Sequence, residues 1–124
     1  MKYSGWDYLE HMIEDCDDIN AALKMVSSVA EFSNNRIIHK SVIYSLLNLG
    51  ELCKNLSESD KKTYPHIPWS SIIGFRNRSS HGYHLLDLDI VYEIATNDIP
   101  DIYKVLIERR ELAQDKENLP DSSN

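Results

Sequence analysis

Within ten residues, Gly74-Phe75-Arg76-Asn77-Arg78-Ser79-Ser80-His81-Gly82-Tyr83, the chain places two guanidinium groups, a carboxamide, two hydroxyls, an imidazole and a phenol. An arginine is permanently cationic and presents a planar fork of donors that suits phosphate oxygens, and a histidine gives or takes a proton near neutral pH. Together they suit a phosphodiester. Metal-free cleavage of RNA needs a base for the ribose 2′-hydroxyl, a cation for the charge that builds on phosphorus, and an acid for the departing 5′-oxygen. His81 is a candidate base or acid and Arg76 the candidate cation. Arg76, Arg78, His81 and His84 together make a local basic pocket.

The spacing raises a geometric question. At ~100° per residue, positions five apart lie roughly 140° apart around an α-helix, so Arg76 and His81 share no face of a continuous one. Either the helix breaks between them or the site is assembled from two chains. Ser79, Ser80 and Gly82 are poor helix-interior residues, and Gly82 is a plausible terminator. The preferred geometry is a helix ending near Ser79 with His81 and Tyr83 on the turn beyond it. A plainer alternative remains open, in which Arg76 caps helix carbonyls and His81 is a hydrogen-bonded structural histidine.

The elements that must hold this stretch are legible around it. Pro68 fits the first turn of a helix, where its missing N–H is not needed, and Trp69, Ile72, Ile73 and Phe75 supply a packing face. Upstream, Ile37, Ile38, Val42, Ile43, Leu46, Leu47, Leu49, Leu52, Cys53 and Leu56 follow the turn cluster Ser33-Asn34-Asn35 and spread over more than one helix face. That breadth predicts packing in a bundle on one side and on a second subunit on the other. Tyr44, Asn48 and Glu51 form a polar stripe on the same helix. Gly50, costly in a helix interior, points to a close approach, and Glu51 is a candidate partner for Arg76, with a plain surface carboxylate as the alternative.

An earlier helix is expected from about Ser4 to Ala30, with Leu9, Met12, Ile13, Cys16, Ile19, Leu23 and Val26 as its apolar stripe. Its outer face carries Glu14, Asp15, Asp17 and Asp18. Adjacent carboxylates point around a helix instead of converging, so a solvated acidic face is preferred to a metal site, and a basic partner surface could also read it. Residues 57–66 read as a loop. Asp87 or Asp89 can cap a fourth helix, Asn97-Asp98-Ile99-Pro100 is expected to interrupt it, and a fifth runs from Pro100 to about Gln114. The domain is therefore expected over residues 1–114, with a polar, frayed tail over 115–124. No strand alternation, glycine-rich phosphate loop or metal-ligand spacing occurs, so an all-α, up-and-down bundle of four to five helices is expected.

Composition limits the partners. The chain has 124 residues, 42% of them hydrophobic, which is enough for one domain with its own core. With 13 basic and 20 acidic side chains the net charge is −7, so RNA gains nothing from the overall field and must meet a local basic pocket. The two cysteines, Cys16 and Cys53, lie in helical apolar patterns and read as thiols of a reducing cytosol. No signal peptide or long apolar run is seen, and a cytoplasmic protein without a membrane partner is expected.

Seven stretches carry a family resemblance: the acidic first helix, Leu49-Gly50-Glu51-Leu52, Ile67-Pro68-Trp69, Ile73-Gly74-Phe75-Arg76-Asn77, His81-Gly82-Tyr83, Asp89-Ile90-Val91 and Ile99-Pro100. In this order the sequence resembles the HepT-like family of the HEPN superfamily. The resemblance implies a metal-independent endoribonuclease without cofactors that leaves 2′,3′-cyclic phosphate ends. It further implies the toxin of a type VII toxin–antitoxin system, with a minimal nucleotidyltransferase as antitoxin. Its Arg-x4-His motif would meet a second copy in a homodimer cleft, which answers the spacing question. Arg76 would stabilise the phosphorane, His81 would be the acid/base, and Asn77 would orient one of them or the phosphate. Tyr83 would accept AMP groups from the antitoxin; apart from the resemblance, the residues themselves make Glu51, beside Gly50, and Arg78, in the basic pocket, candidates to support the site. The sequence departs from the family at Arg78-Ser79-Ser80, where members more often carry apolar residues. A non-catalytic reading stays open beside this one: a helical dimer that binds the nucleotidyltransferase or a nucleotide, with Arg76 and His81 serving recognition only.

Overall fold

A computed structural model of the chain describes residues 5–79 and 86–118. Every regular element among them is helical. In order these are α1 (Leu9–Leu23), α2 (Val29–Asn34), α3 (Arg36–Lys54), α4 (Glu58–Thr63), α5 (Trp69–Arg78), α6 (Leu88–Glu93), a π-helical turn (Ile94–Asp98) and α7 (Ile99–Asn118). The bundle is built from α1, α3, α5 and the rod made by α6, the π-turn and α7, with α2 and α4 as short connectors. The all-α architecture expected from the sequence is the one observed.

The apolar stripes explain the packing. Met12, Ile13, Cys16 and Ile19 of α1 meet Val42, Ile43, Leu46, Leu49 and Cys53 of α3, and Ile99, Ile102, Val105 and Leu106 of α7 close the same core. Leu46, Leu49, Ile72 and Phe32 are at most 2% exposed, so each contributes about 1.5–3 kcal/mol of burial. His39 is also buried and its Nδ1 lies 3.1 Å from the Phe32 carbonyl oxygen, which ties α2 to α3. Both cysteines are free and buried. Burial raises the pKa of both thiols, that of Cys53 to about 12.

Besides the last helix, which runs to Asn118 through the first residues of the expected tail, three elements differ from the sequence expectation. The helix expected over Ser4–Ala30 ends at Leu23, and α2 starts separately after Ser28; Ser4 itself lies outside the described residues. The cause is a local capping arrangement: the Ser28 hydroxyl accepts the Glu31 N–H, and the Glu31 carboxylate accepts the Ser27 N–H at 2.9 Å. The loop expected over 57–66 contains α4, started by the Ser57 hydroxyl accepting the Asp60 N–H at 3.0 Å. Pro100 does not interrupt the last rod. The π-turn before it absorbs the misfit: the Ile99 N–H reaches the Ile94 carbonyl five residues back, so the helix widens just where proline has no donor.

The start of α5 is fastened firmly. Trp69 donates its indole N–H to the Lys61 and Tyr64 carbonyls at 3.2 and 3.1 Å. Trp6 packs edge-on against Tyr64 and Trp69, and the Arg109 guanidinium lies 5.1 Å over the Trp6 ring. Farther along α5, the Ser71 side chain is hydrogen-bonded to Asp98 of the π-turn. The helix carrying Arg76 is thus anchored to α4 and to the last rod. None of the described helices is long and apolar enough to cross a membrane.

Candidate functional site

Gly50 decides how α3 and α5 meet. A Cβ at this position would stand 2.7 Å from the Arg76 Cβ and 2.9 Å from the Ile72 carbonyl oxygen. Only a hydrogen side chain lets the two helices come this close. The approach brings Glu51, the next residue on α3, opposite Arg76: its Oε2 lies 2.7 Å from the Arg76 Nε. The Arg76 side chain is 35% exposed and that of Glu51 52% exposed, so this is a half-solvated pair with good geometry. Glu51 is therefore both things the sequence left open, a carboxylate at the surface and the partner of Arg76.

The fork is held from a second side. The Arg76 Nη1 faces the Asn77 Oδ1 at 3.4 Å, at the long end of hydrogen-bonding range. With Nε engaged by Glu51, the Nη groups are what the guanidinium can offer to another anion. A recess of about 300 Å³ lies here, lined by Leu47, Asn48, Glu51, Arg76 and Ser79. The helix ends at this recess as the sequence predicts. Ser79 donates its hydroxyl to the Phe75 carbonyl at 2.7 Å and its N–H bonds the same oxygen, which closes the last turn of α5.

A neighbouring cleft of about 380 Å³ shares Asn48 and Glu51 with the first and adds His11, Glu14, Asp15, Asp18 and Tyr44. The polar stripe expected on α3 is real, and it forms the ridge between the two. The acidic face of α1 is only partly solvated. Asp15 is half-buried against α3 and hydrogen-bonded to Asn48. Its pKa is raised to about 6, first by burial and then by the Asp18 and Glu14 carboxylates. Among the described residues no group of three or more His, Cys, Asp and Glu side chains is arranged to hold a metal.

Of the residues singled out from the sequence, Glu51, Arg76 and Asn77 come together on one edge of the bundle. Arg78 is exposed and lies on the opposite flank of α5, where its Nη1 would be 3.0 Å from a Cβ at Gly74. His81, Tyr83 and His84 lie outside the described residues. Sequence reasoning missed Asp15 as a member of this region. Its spacing from Cys16 and Ile19 marks it as flanking the buried stripe, but only the fold shows that Asn48 stands opposite.

The family model for ribonuclease HepT-like proteins matches residues 12–109. The chain is 35% identical over 99 residues to a protein of Methanocaldococcus jannaschii named "Putative RNase MJ1216", covering 80% of this chain and 78% of that one. It is 28% identical over 102 residues to the "Probable ribonuclease HepT" of Thermococcus cleftensis, covering 82% and 92% respectively. A third relative, "Putative RNase TTE0752" of Caldanaerobacter subterraneus subsp. tengcongensis, is 28% identical over 97 residues, 78% of this chain and 86% of its own. No solved structure matches the chain significantly.

Proposed function

The chain belongs to the HepT-like ribonuclease family, and from that premise we propose that it is a metal-independent endoribonuclease, the toxin of a type VII toxin–antitoxin pair. The observation that carries this reading is the Arg76–Glu51 pair at 2.7 Å, set by the Gly50 approach beside an open recess. A guanidinium held through Nε is pre-oriented, so little is lost when its Nη groups close on a phosphate. Only Ser80 stands between Ser79, in the recess wall, and His81, a reach of at most roughly 7 Å.

In the proposed reaction the ribose 2′-oxygen gives its proton to a base and attacks phosphorus. The new 2′-O–P bond forms as the P–O5′ bond breaks, and an acid protonates the leaving 5′-oxygen. The products are a 2′,3′-cyclic phosphate and a 5′-hydroxyl. Arg76 neutralises the charge gathered on the phosphorane oxygens, a contribution that grows in a site shielded from water. His81 serves as acid/base, Asn77 orients Arg76 or the phosphate, and Arg78 adds to the local positive charge. A homodimer supplies two copies of His81, one for each proton transfer. The exposed stripe of α3 supports such a dimer: Ile37 is 80% and Tyr44 67% exposed, on the same face as Asn48 and Glu51. A second copy packed there would cover apolar surface and border the recess.

Silencing follows from the same charges. In the proposal a nucleotidyltransferase antitoxin transfers AMP to the Tyr83 hydroxyl: the phenolic oxygen bonds the α-phosphorus of a nucleoside triphosphate, pyrophosphate leaves, and the phenol loses its proton. The added phosphate competes with RNA for Arg76. The test is a set of folded variants. Arg76→Ala loses RNA cleavage and growth inhibition, and Tyr83→Phe keeps cleavage but is no longer silenced by the nucleotidyltransferase. Growth inhibition that persists in Arg76→Ala and in His81→Ala would overturn the proposal.

A further inference from the structure

Arg76 and Arg78 are two positions apart, hence roughly 200° apart around the helix, and serve opposite flanks of α5. Arg76 faces α3. On the other flank, α4 and the connection to α5 wall a recess of about 520 Å³ whose lining includes Lys61, Ile67, Trp69, Ile73, Gly74 and Asn77. Ile67 and Trp69 are buried and Ile73 is partly so, which makes an apolar floor. Gly74 leaves its wall bare, and the Arg78 Nη1 lies 3.0 Å from where a Cβ would stand, so the guanidinium folds back over the glycine at the rim. Lys61 lies in the wall opposite α5. Its ammonium is 3.7 Å from Glu58, whose side chain also lines the recess but is 81% exposed. A contact this long and this solvated is weak, so an incoming phosphate can replace the carboxylate.

An apolar floor with one cation in its wall, a second beside Gly74 at its rim and a carboxamide at one end matches a nucleotide: a base to cover the floor and phosphates for the cations. Asn77 belongs to both flanks, because its Oδ1 faces Arg76 and its side chain lines this recess. A strand whose scissile phosphate lies on Arg76 and which crosses the end of α5 at Asn77 would next meet Lys61 and Arg78. We propose that this recess is a second RNA subsite, taking the nucleotide that flanks the cleaved bond, with Lys61 and Arg78 on its phosphates. The inference rests on the ribonuclease reading for its ligand, and it gives Arg78 a task of its own on the flank away from Glu51.

The experiment uses the full chain and an RNA oligonucleotide with 2′-O-methyl groups throughout, which cannot form the cyclic phosphate. Binding is followed by fluorescence anisotropy over a range of salt for wild type, Lys61→Gln, Arg78→Gln and the double variant, each checked for folding by circular dichroism. Lys104→Gln, on the exposed side of α7, reports the effect of losing any one positive charge. Each recess variant should weaken binding roughly three- to tenfold and flatten the plot of log K against log salt by about 0.7 for its lost phosphate contact. Lys104→Gln should do neither. Affinity and slope unchanged in both recess variants, or changed no more than in Lys104→Gln, would sink the subsite. The matching unmodified RNA separates the two readings. If wild type binds and the recess variants weaken but nothing cuts, the ribonuclease reading fails and the recess stands as an RNA-binding site alone; if wild type cuts and the recess variants bind as it does, the subsite alone fails. Absence of RNA binding by wild type overturns both.

Discussion

Replacing Gly50 with alanine adds one methyl group where α3 and α5 come closest. The new Cβ would stand 2.7 Å from the Arg76 Cβ and 2.9 Å from the Ile72 carbonyl oxygen, both on the α5 backbone side and unable to swing away. Ordinary carbon contacts need about 3.5–4.0 Å, so the helices must part locally by roughly 0.5–1 Å. Overpacking of this kind costs about 1–3 kcal/mol, and the better helix propensity of alanine returns about 1 kcal/mol. A net loss of up to about 2 kcal/mol is expected, a fall in melting temperature of up to roughly 10 °C for a chain of this size. The functional loss should be larger, because displacing a positioned group by about 1 Å can cost roughly a hundredfold in rate. Gly74→Ala is the internal comparison. Its Cβ meets only the Arg78 Nη1, at 3.0 Å, the mobile end of a long side chain, so it should raise stability by about 0.5–1 kcal/mol. Thermal melts followed by circular dichroism, with RNA cleavage measured on the same samples, read both effects. A Gly50→Ala protein that melts at or above wild type and cleaves as fast would refute the argument that this approach sets the site.

Further predictions follow from the same geometry. Glu51→Gln keeps an acceptor but removes the charge that holds Arg76, so cleavage should fall roughly tenfold while stability changes by less than about 1 kcal/mol, as befits a half-exposed pair; urea titration and initial rates check the two halves. Asp15, raised to about 6 when folded, contributes stability that is fully present below its unfolded value near 3.8 and is lost as pH rises through about 6. Asp15→Asn should therefore be more stable than wild type at pH 7.5, by on the order of 1 kcal/mol after allowance for solvent screening, with the gap narrowing towards pH 4.5. A gap that holds constant or widens on acidification would show that Asp15 is not the strained carboxylate described. Cys16 and Cys53, buried with raised thiol pKa, should resist iodoacetamide in the native protein and both react in urea, as mass spectrometry would register.

Periodicity revealed the parts of the fold that depend on one face being apolar. The stripes of α1, α3 and the last rod became the core, and Asn35, accepting the Ile38 N–H, starts α3 where the turn cluster suggested. The end of α5 at Ser79 was legible because Ser-Ser before Gly82 cannot prolong a helix cheaply. Two of the three misread elements had local signals that an apolar pattern hides. Ser28 with Glu31, and Ser57 with Asp60, are each a hydroxyl followed three residues later by an acid, the mark of a helix start. The apolar pattern ran on towards the first through Val26, past the end of α1 at Leu23, and the second had no apolar pattern at all. Pro100 carries a strong breaking tendency, but the π-turn removes the clash without ending the rod, and nothing in the order of residues announces such a turn. At the site, Gly50 and Glu51 were readable because a glycine inside an apolar helix demands a reason. The Asp15–Asn48 contact was not, since four carboxylates in five positions look alike until a neighbouring helix selects one of them.

The most direct test of the central claim is cleavage of a mixed RNA pool in EDTA by purified wild type and by folded His81→Ala, with the product ends analysed. Cleavage by wild type alone, leaving 2′,3′-cyclic phosphate and 5′-hydroxyl ends, is the predicted result. Wild type that fails to cut after mass spectrometry has shown Tyr83 free of AMP, or His81→Ala that cuts equally well, would contradict it.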